Sequence, residues 1–71
     1  MFNFAEHLKL IRKSKGLTQS KVARGIDISE RIYQGYESGE GKPSFDNIIA
    51  LADFFDITTD YLLGREDLKN G

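Results

Sequence analysis

The sequence predicts an all-α fold built from five short helices. Apolar residues recur at spacings of three and four, capping residues separate the apolar segments, and no segment alternates as a half-buried strand does. The predicted helices cover about residues 4–15, 18–25, 29–37, 44–55 and 58–63. A chain of 71 residues is expected to form one domain over 1–71, with a frayed tail or linker start at 65–71.

The first predicted helix has a buried stripe and a stop signal. Phe4, Leu8 and Ile11 follow the spacing of a helix face that packs on a core. Gly16 then provides the residue type on which many helices end. Thr18 is a suitable N-cap for the second helix. The apolar positions of this second helix are Val22, Ala23 and Ile26.

The remaining helices also begin at capping residues. Ser29, Ser44 and Thr58 are expected to cap the third, fourth and fifth helices, and Gly39 is expected to end the third. In the fourth helix, Phe45 is expected to extend the buried stripe by one turn. The rest of that stripe consists of Ile48, Leu51, Ala52 and Phe55.

The composition excludes several classes of protein. The absence of cysteine rules out disulfides and thiolate metal sites, and a single histidine leaves few groups for catalysis. We therefore expect no enzymatic activity, no metal, no cofactor and no small-molecule ligand. The start of the chain lacks the features of a signal peptide, and no apolar run approaches the ~18 residues that span a membrane. A cytoplasmic protein without a membrane partner is expected.

Charge is distributed unevenly along the chain. The formal net charge is −1, yet residues 1–43 hold eight Lys or Arg and five Asp or Glu, whereas residues 44–71 hold two and six. A basic front and an acidic back suit a protein that presents one face to a polyanion. The alternative is a chance segregation of charge in a short chain.

The second and third helices are separated by only three or four residues, which is typical of a helix-turn-helix. The segments "GLTQ" at 16–19, "YESG" at 36–39, "KPS" at 42–44 and "DYLLG" at 60–64 resemble the Cro/Xre family of phage-repressor DNA-binding domains. The resemblance implies a five-helix, lambda-repressor-like bundle. It also implies a transcriptional regulator, specifically a repressor, that binds double-stranded DNA as a homodimer on a palindromic operator.

In this family the third helix lies in the major groove, and Ser29, Glu30, Arg31 and Gly35 match its base-facing positions. Ile32 and Gln34 are further expected base contacts on the same helix. Arg31 is expected to pair with guanine and Glu30 to accept from cytosine, while Ile32 touches a thymine methyl. Alternatively, Arg31 contacts a phosphate and Glu30 only favours the helix dipole. The absent side chain of Gly35 would let the helix sit deeper in the groove.

Other matching positions imply phosphate contacts and a structural ion pair. Arg12 and Glu37 are expected to bridge the first and third helices through a bidentate pair. Gln19 is expected to brace Glu30. Phosphate contacts are expected from Gln19, Ser38 and Lys42, with weaker claims for Lys21, Arg24 and His7. For each lysine the alternative is an ordinary solvated charge.

Two positions depart from the family pattern: Asp27 stands in the turn where the family usually has glycine, and Asp56 ends the fourth helix where glycine or asparagine is common. Aspartate tolerates the left-handed conformation better than most residues, so the turn is expected to survive. A dimer interface is expected around the last helix. Its candidate residues are Phe54, Tyr61, Leu62 and Leu63, with Leu10 as a further exposed candidate, although Leu62 and Leu63 could instead complete the core.

A second function remains compatible with the sequence. The acidic balance of the chain and Gly35 would also suit a helix-turn-helix module that binds a protein, of the antitoxin or anti-repressor type. Gln19, Arg31, Lys42 and the basic front half favour DNA binding instead.

Overall fold

The computed structural model describes residues 1–65, and this part of the chain forms five α-helices. They are α1 (Phe4–Ser14), α2 (Gln19–Gly25), α3 (Glu30–Ser38), α4 (Phe45–Phe55) and α5 (Thr59–Leu62). No strand occurs in residues 1–65, so the predicted all-α fold is confirmed, and every helix boundary lies within one residue of the predicted one. Apart from residue 65, the predicted tail at 65–71 lies outside the described residues.

Side-chain caps define where the helices begin. The hydroxyl oxygens of Thr18, Ser29, Ser44 and Thr58 each accept a hydrogen bond from a backbone N–H in the first turn, at 3.1, 3.1, 3.2 and 2.9 Å. Asn3, which the sequence analysis did not identify, caps α1 in the same way. Each such cap contributes about 1 kcal/mol to helix stability.

Two aspartates occupy left-handed positions at helix ends. Asp27 has a φ of 63° in the turn after α2, and Asp56 has a φ of 59° as the C-cap of α4. The expectation that aspartate tolerates this left-handed conformation is confirmed at both positions. The chain can therefore turn sharply after both helices without glycine.

The helices enclose a single apolar core. α1 and α2 pack against α3, while α4 packs against α5 and α2. The buried apolar residues are Leu8, Ile11, Val22, Ala23, Tyr33, Tyr36, Leu51, Ala52, Phe55 and Leu62. Between residues 1 and 65, no helix is both long and apolar enough to cross a membrane.

For Leu62 the structure bears out the core alternative and not the dimer interface, and the predicted placement of Phe45 is wrong. Leu62 is 0% exposed, so it completes the core and cannot form a dimer interface. Phe45 is 79% exposed and does not extend the buried stripe of α4. The core does not reach the first turn of this helix, since even Ile48 in the next turn is only half-buried.

Candidate nucleic-acid interface

A tight turn over residues 26–29 joins α2 to α3 and holds the start of α3 against the end of α2. The N–H of Asp27 donates to the carbonyl oxygen of Arg24 at 3.2 Å, and the N–H of Ile28 donates to that of Ala23 at 3.0 Å. Left-handed Asp27 reverses the chain within this turn. The two helices thus form a compact helix-turn-helix unit.

One side of α3 is open to solvent and carries mainly polar side chains. The predicted base-contacting residues lie on this side: Glu30, Arg31, Ile32 and Gln34 are exposed, Gly35 is half-buried, and exposed Ser29 caps the helix. The opposite side consists of Tyr33 and Tyr36, which are buried as expected. The helix therefore separates residues that could touch a ligand from residues that hold it in place.

The predicted ion pair between α1 and α3 is present and buried. The Arg12 Nε donates to Glu37 Oε2 at 2.7 Å, and Arg12 Nη2 donates to Oε1 at 3.0 Å. The side chains are 10% and 2% exposed, respectively. A third guanidinium nitrogen, Nη1, donates to the carbonyl oxygen of Leu17 at 2.9 Å. The guanidinium thus also holds the chain between α1 and α2.

Glu37 accepts two further hydrogen bonds that the sequence analysis did not foresee. The Gln19 amide nitrogen donates to Oε1 at 3.0 Å, and the Tyr33 hydroxyl donates to Oε2 at 2.5 Å. The expectation that Gln19 braces Glu30 is therefore wrong, because its amide faces Glu37 instead. A single carboxylate fastens α1, α2 and α3 to one another, and we call Glu37 with its donors Arg12, Gln19 and Tyr33 the carboxylate anchor.

The carboxylate anchor shifts the protonation equilibria of its members. Burial opposes ionisation of Glu37, but the hydrogen bonds from Arg12, Tyr33 and Gln19 outweigh it and lower the pKa of the carboxyl group. The hydrogen bond to Glu37 raises the pKa of the Arg12 guanidinium. Burial and then the bond to Glu37 raise the pKa of the Tyr33 phenol. The pair is ionised and the tyrosine is neutral at physiological pH.

A second hydrogen bond fixes the other end of α3. The Asn47 amide nitrogen donates to the Tyr36 hydroxyl at 2.9 Å and links α3 to α4. Sequence reasoning missed this bond because it treated Tyr36 only as an apolar core residue. A buried tyrosine hydroxyl usually has a hydrogen-bond partner, so the burial of Tyr36 would have been the signal that predicts such a bond.

A notch of about 530 Å³ lies on the exposed side of α3 and is lined by Arg31, Gln34, Gly35, Ser38 and Glu40. The Ser38 hydroxyl donates to the carbonyl oxygen of Gly35 at 3.2 Å and accepts from the N–H of Glu40 at 3.3 Å. Its only proton is thus engaged, and the predicted phosphate contact of Ser38 would have to replace an existing bond.

The predicted cationic phosphate contacts are solvent-exposed. Lys21 and Arg24 project from α2, and Lys42 lies in the loop before α4. His7 is placed elsewhere, because its Nε2 lies 2.8 Å from the carbonyl oxygen of Tyr61 and its ring packs between Phe2 and Tyr61. The weaker expectation of a phosphate contact by His7 is therefore wrong.

Apolar surface remains open beside α5, as predicted. Leu10 is 66% exposed, Tyr61 45%, Phe54 37% and Leu63 37%. Leu10 and Tyr61 line a groove of about 680 Å³ between α1 and α5. Phe54 lies near the end of α4 and does not line this groove; its ring packs over the backbone of Gly25 instead. Leu10 and Tyr61 therefore share one surface, which we call the α1/α5 groove.

The arrangement of α2 and α3 defines a helix-turn-helix, and comparison with known proteins agrees. The chain matches the family described as Helix-turn-helix (HTH_3) over residues 8–62. It belongs to this helix-turn-helix family, and the resemblance to the Cro/Xre type is confirmed.

Two curated relatives illustrate the family. The HTH-type transcriptional regulator AnsR of Bacillus subtilis is 42% identical over 64 residues, which cover 90% of this chain and 55% of that protein. The cryptic phage CTXphi transcriptional repressor RstR of Vibrio cholerae is 43% identical over 60 residues, which cover 84% and 54%. The chain thus spans about half the length of these relatives.

Solved structures share the fold. The restriction-modification controller protein C.AhdI from Aeromonas hydrophila superposes with a TM-score of 0.80 at 32% identity, covering 83% of this chain and 89% of that one. A transcriptional regulator from Listeria innocua also gives a TM-score of 0.80, at 35% identity, covering 87% and 58%. The predicted five-helix fold is therefore confirmed.

Proposed function

We propose that this chain is a sequence-specific DNA-binding regulator of transcription, specifically a repressor, whose α3 lies in the major groove of double-stranded DNA. The observation that carries the proposal is the contrast on α3, which has an exposed polar side and a buried side fixed by the carboxylate anchor. A helix held in this way can present side chains to base edges at constant geometry. The similarity to proteins named as transcriptional regulators supports the proposal.

In this arrangement the first turns of α3 contact the bases. The Arg31 guanidinium can donate to O6 and N7 of one guanine, and the Glu30 carboxylate can accept from N4 of a cytosine. The Ser29 oxygen already accepts from the N–H of Ile32, so its proton is left to donate to DNA. Ile32 offers an apolar contact to a thymine methyl. Gln34 and Gly35 complete this set of base-contacting residues, and we call the set, which lies between Ser29 and Gly35, the reading surface.

Phosphate contacts flank the reading surface. Lys21 and Arg24 on α2 and Lys42 in the loop before α4 supply exposed positive charge. Gln19 keeps the rest of its amide for a phosphate, beyond the one bond to Glu37. Such contacts set the position of a protein on DNA without selecting the sequence.

We propose further that the functional unit is a homodimer joined through the α1/α5 groove. One chain has one reading helix, and a palindromic operator presents two half-sites about one helical turn apart. Leu10 and Tyr61 offer the exposed apolar surface for a second copy. We expect Leu10→Glu to shift the protein toward monomer in sedimentation equilibrium. Ile49→Glu, on exposed α4 surface outside the groove, is the matched control; equal behaviour of both variants contradicts this interface.

The direct test is selection of binding sites from a random pool of duplex DNA near physiological salt, with Arg31→Ala in parallel. We expect a palindrome whose half-sites are about 10 base pairs apart. One base pair of each half-site should lose its preference in the variant. A pool without enrichment contradicts sequence-specific binding.

One observation favours a second candidate, a module that binds a protein instead of DNA. Arg31 is the only Lys or Arg between residues 25 and 41, and exposed Phe45 lies just beyond this range. The salt dependence of binding separates the candidates. DNA binding that releases counterions weakens steeply as salt rises, whereas a protein partner docked on apolar surface gives a shallow dependence.

A further inference from the structure

The fold gives no reason for glycine at position 35. Gly35 lies inside α3, where glycine is less favourable than alanine. A Cβ built there would approach only the backbone of Gly41, at 3.7 Å from its nitrogen and 4.0 Å from its Cα, which are ordinary contact distances. Its φ is not in the left-handed region. Alanine would therefore fit at this position without any movement of the fold.

Gly25 and Gly39 have structural reasons that Gly35 lacks. A Cβ on Gly25 would overlap the ring of Phe54, which lies directly over this residue. Gly39 ends α3 with a φ of 87°, a left-handed conformation that side chains disfavour. The reason for Gly35 must therefore be sought outside the folded chain.

Gly35 lies in the middle of the exposed side of α3, at the notch that it forms with Arg31 and Ser38. Its carbonyl oxygen already accepts from the N–H groups of Gly39 and Gly41, at 3.1 and 3.0 Å, and from the Ser38 hydroxyl at 3.2 Å. It has no side chain to donate or accept. Gly35 can therefore recognise a ligand only through its shape, by leaving space.

The group that best fits this space in the major groove is a methyl. Base edges there present hydrogen-bond donors and acceptors, and the 5-methyl of thymine is the one apolar group among them. A phosphate fits less well, because the Glu40 carboxylate also lines the notch. Ile32, three residues before Gly35 and 51% exposed, adds apolar surface on the neighbouring side.

We propose that Gly35 is a specificity-determining residue that receives the 5-methyl group of a thymine. The inference rests on the proposed DNA binding and names the base that one position of the reading surface selects. The proposal predicts opposite effects of one substitution on the free energy of unfolding and on affinity for DNA. Gly35→Ala should stabilise the fold and yet weaken binding, because the added methyl takes the place of the thymine methyl.

The experiment adds a methyl group to the protein, by Gly35→Ala, and removes one from the DNA, by replacing thymidine with deoxyuridine. Wild type and Gly35→Ala are titrated with the selected operator and with operators in which deoxyuridine replaces each thymine in turn. At one position per half-site, the wild type should lose about fourfold in affinity when the methyl is removed. Gly35→Ala should bind the thymine operator about tenfold more weakly than wild type, and deoxyuridine at that position should restore most of this loss.

Gly41→Ala is the matched control. Its Cβ would meet neighbours at 3.9 Å, and Gly41 does not line the notch, so binding should equal that of the wild type. An equal loss by Gly35→Ala on thymine and deoxyuridine operators, or no loss, overturns the inference and leaves the proposed DNA binding intact. A lower melting temperature for Gly35→Ala than for wild type overturns its structural premise. If the wild type binds no operator, both proposals fail.

Discussion

The two sides of α3 use their polar groups differently. On the buried side, Glu37 accepts bonds from three side chains and the Tyr36 hydroxyl accepts from Asn47. Within residues 1–65, no buried side-chain nitrogen or oxygen lacks a partner. On the exposed side, the side chains of Arg31 and Gln34 make no hydrogen bond within the described part of the chain. Orientation and recognition are thus assigned to opposite sides of one helix.

Because the two sides of α3 are separate in this way, residues of the reading surface can be substituted more freely than residues of the buried side. A buried ion pair cannot lose one of its charged members without leaving the other charge uncompensated. An exposed side chain without partners in the fold can be replaced at little cost to stability. Substitutions of the buried, hydrogen-bonded side chains should therefore change the free energy of unfolding, and substitutions of exposed side chains without partners, such as Arg31, should change binding with little effect on stability.

The strongest test of the buried side is Glu37→Ala. The variant leaves the guanidinium of Arg12 buried without its carboxylate, so we expect the free energy of unfolding to fall by about 3–5 kcal/mol. That loss is a large part of the stability of a small domain. Urea denaturation followed by circular dichroism measures it.

Glu40→Ala is the control for removing a carboxylate near the end of α3. Glu40 is exposed, so its replacement should change stability by less than about 0.5 kcal/mol. If both variants lose a similar amount, the carboxylate anchor does not distinguish the two sides of α3.

Acid should weaken the carboxylate anchor, because protonation removes the negative charge of Glu37. The pKa of the Glu37 carboxyl is lower in the folded protein than its ordinary value of 4.5. The unfolded chain therefore binds this proton first as pH falls, and the stabilisation present above about pH 5 is lost as pH falls through the folded value. Denaturation between about pH 6 and 3 should give a shallower pH dependence for Glu37→Gln than for wild type. Parallel profiles would contradict this assignment.

The parts of the fold that depend on neighbouring residues could be predicted from the sequence. Caps such as Ser29 and Ser44 act within one turn, so their residue type and position are sufficient evidence. The same holds for left-handed Asp27 and Asp56, which close turns of fixed length. The Arg12–Glu37 pair was predicted only through the family resemblance, because 25 residues separate its members.

Features that depend on tertiary distance could not be predicted in this way. Gln19 could reach either Glu30 or Glu37 as far as sequence shows, and only the packing of α2 on α3 decides for Glu37. Periodicity assigned Phe45 to the inner face of α4, but it does not indicate how far the core extends. The burial of Leu62 likewise follows from the docking of α5.

On the exposed side, Arg31→Ala should change binding and leave stability unaltered. A bidentate pair with guanine contributes about 1–3 kcal/mol of discrimination at one base pair. We expect this preference to disappear at one position per half-site in titrations with single-base operator variants. The urea midpoint should match that of wild type. Equal weakening on every sequence would identify Arg31 as a phosphate contact.

Lys42→Ala should have the weakest effect of these variants, and it distinguishes exposed residues that contact phosphate from those that contact bases. A phosphate contact carries no sequence information, so affinity should fall by a similar factor on operator and random DNA. The slope of log K against log salt should decrease in magnitude by about one. Lys13→Ala, at the exposed end of α1 and outside the proposed interface, should leave the slope unchanged. If Lys42→Ala also leaves the slope unchanged, Lys42 is an ordinary solvated charge and the interface ends at α3.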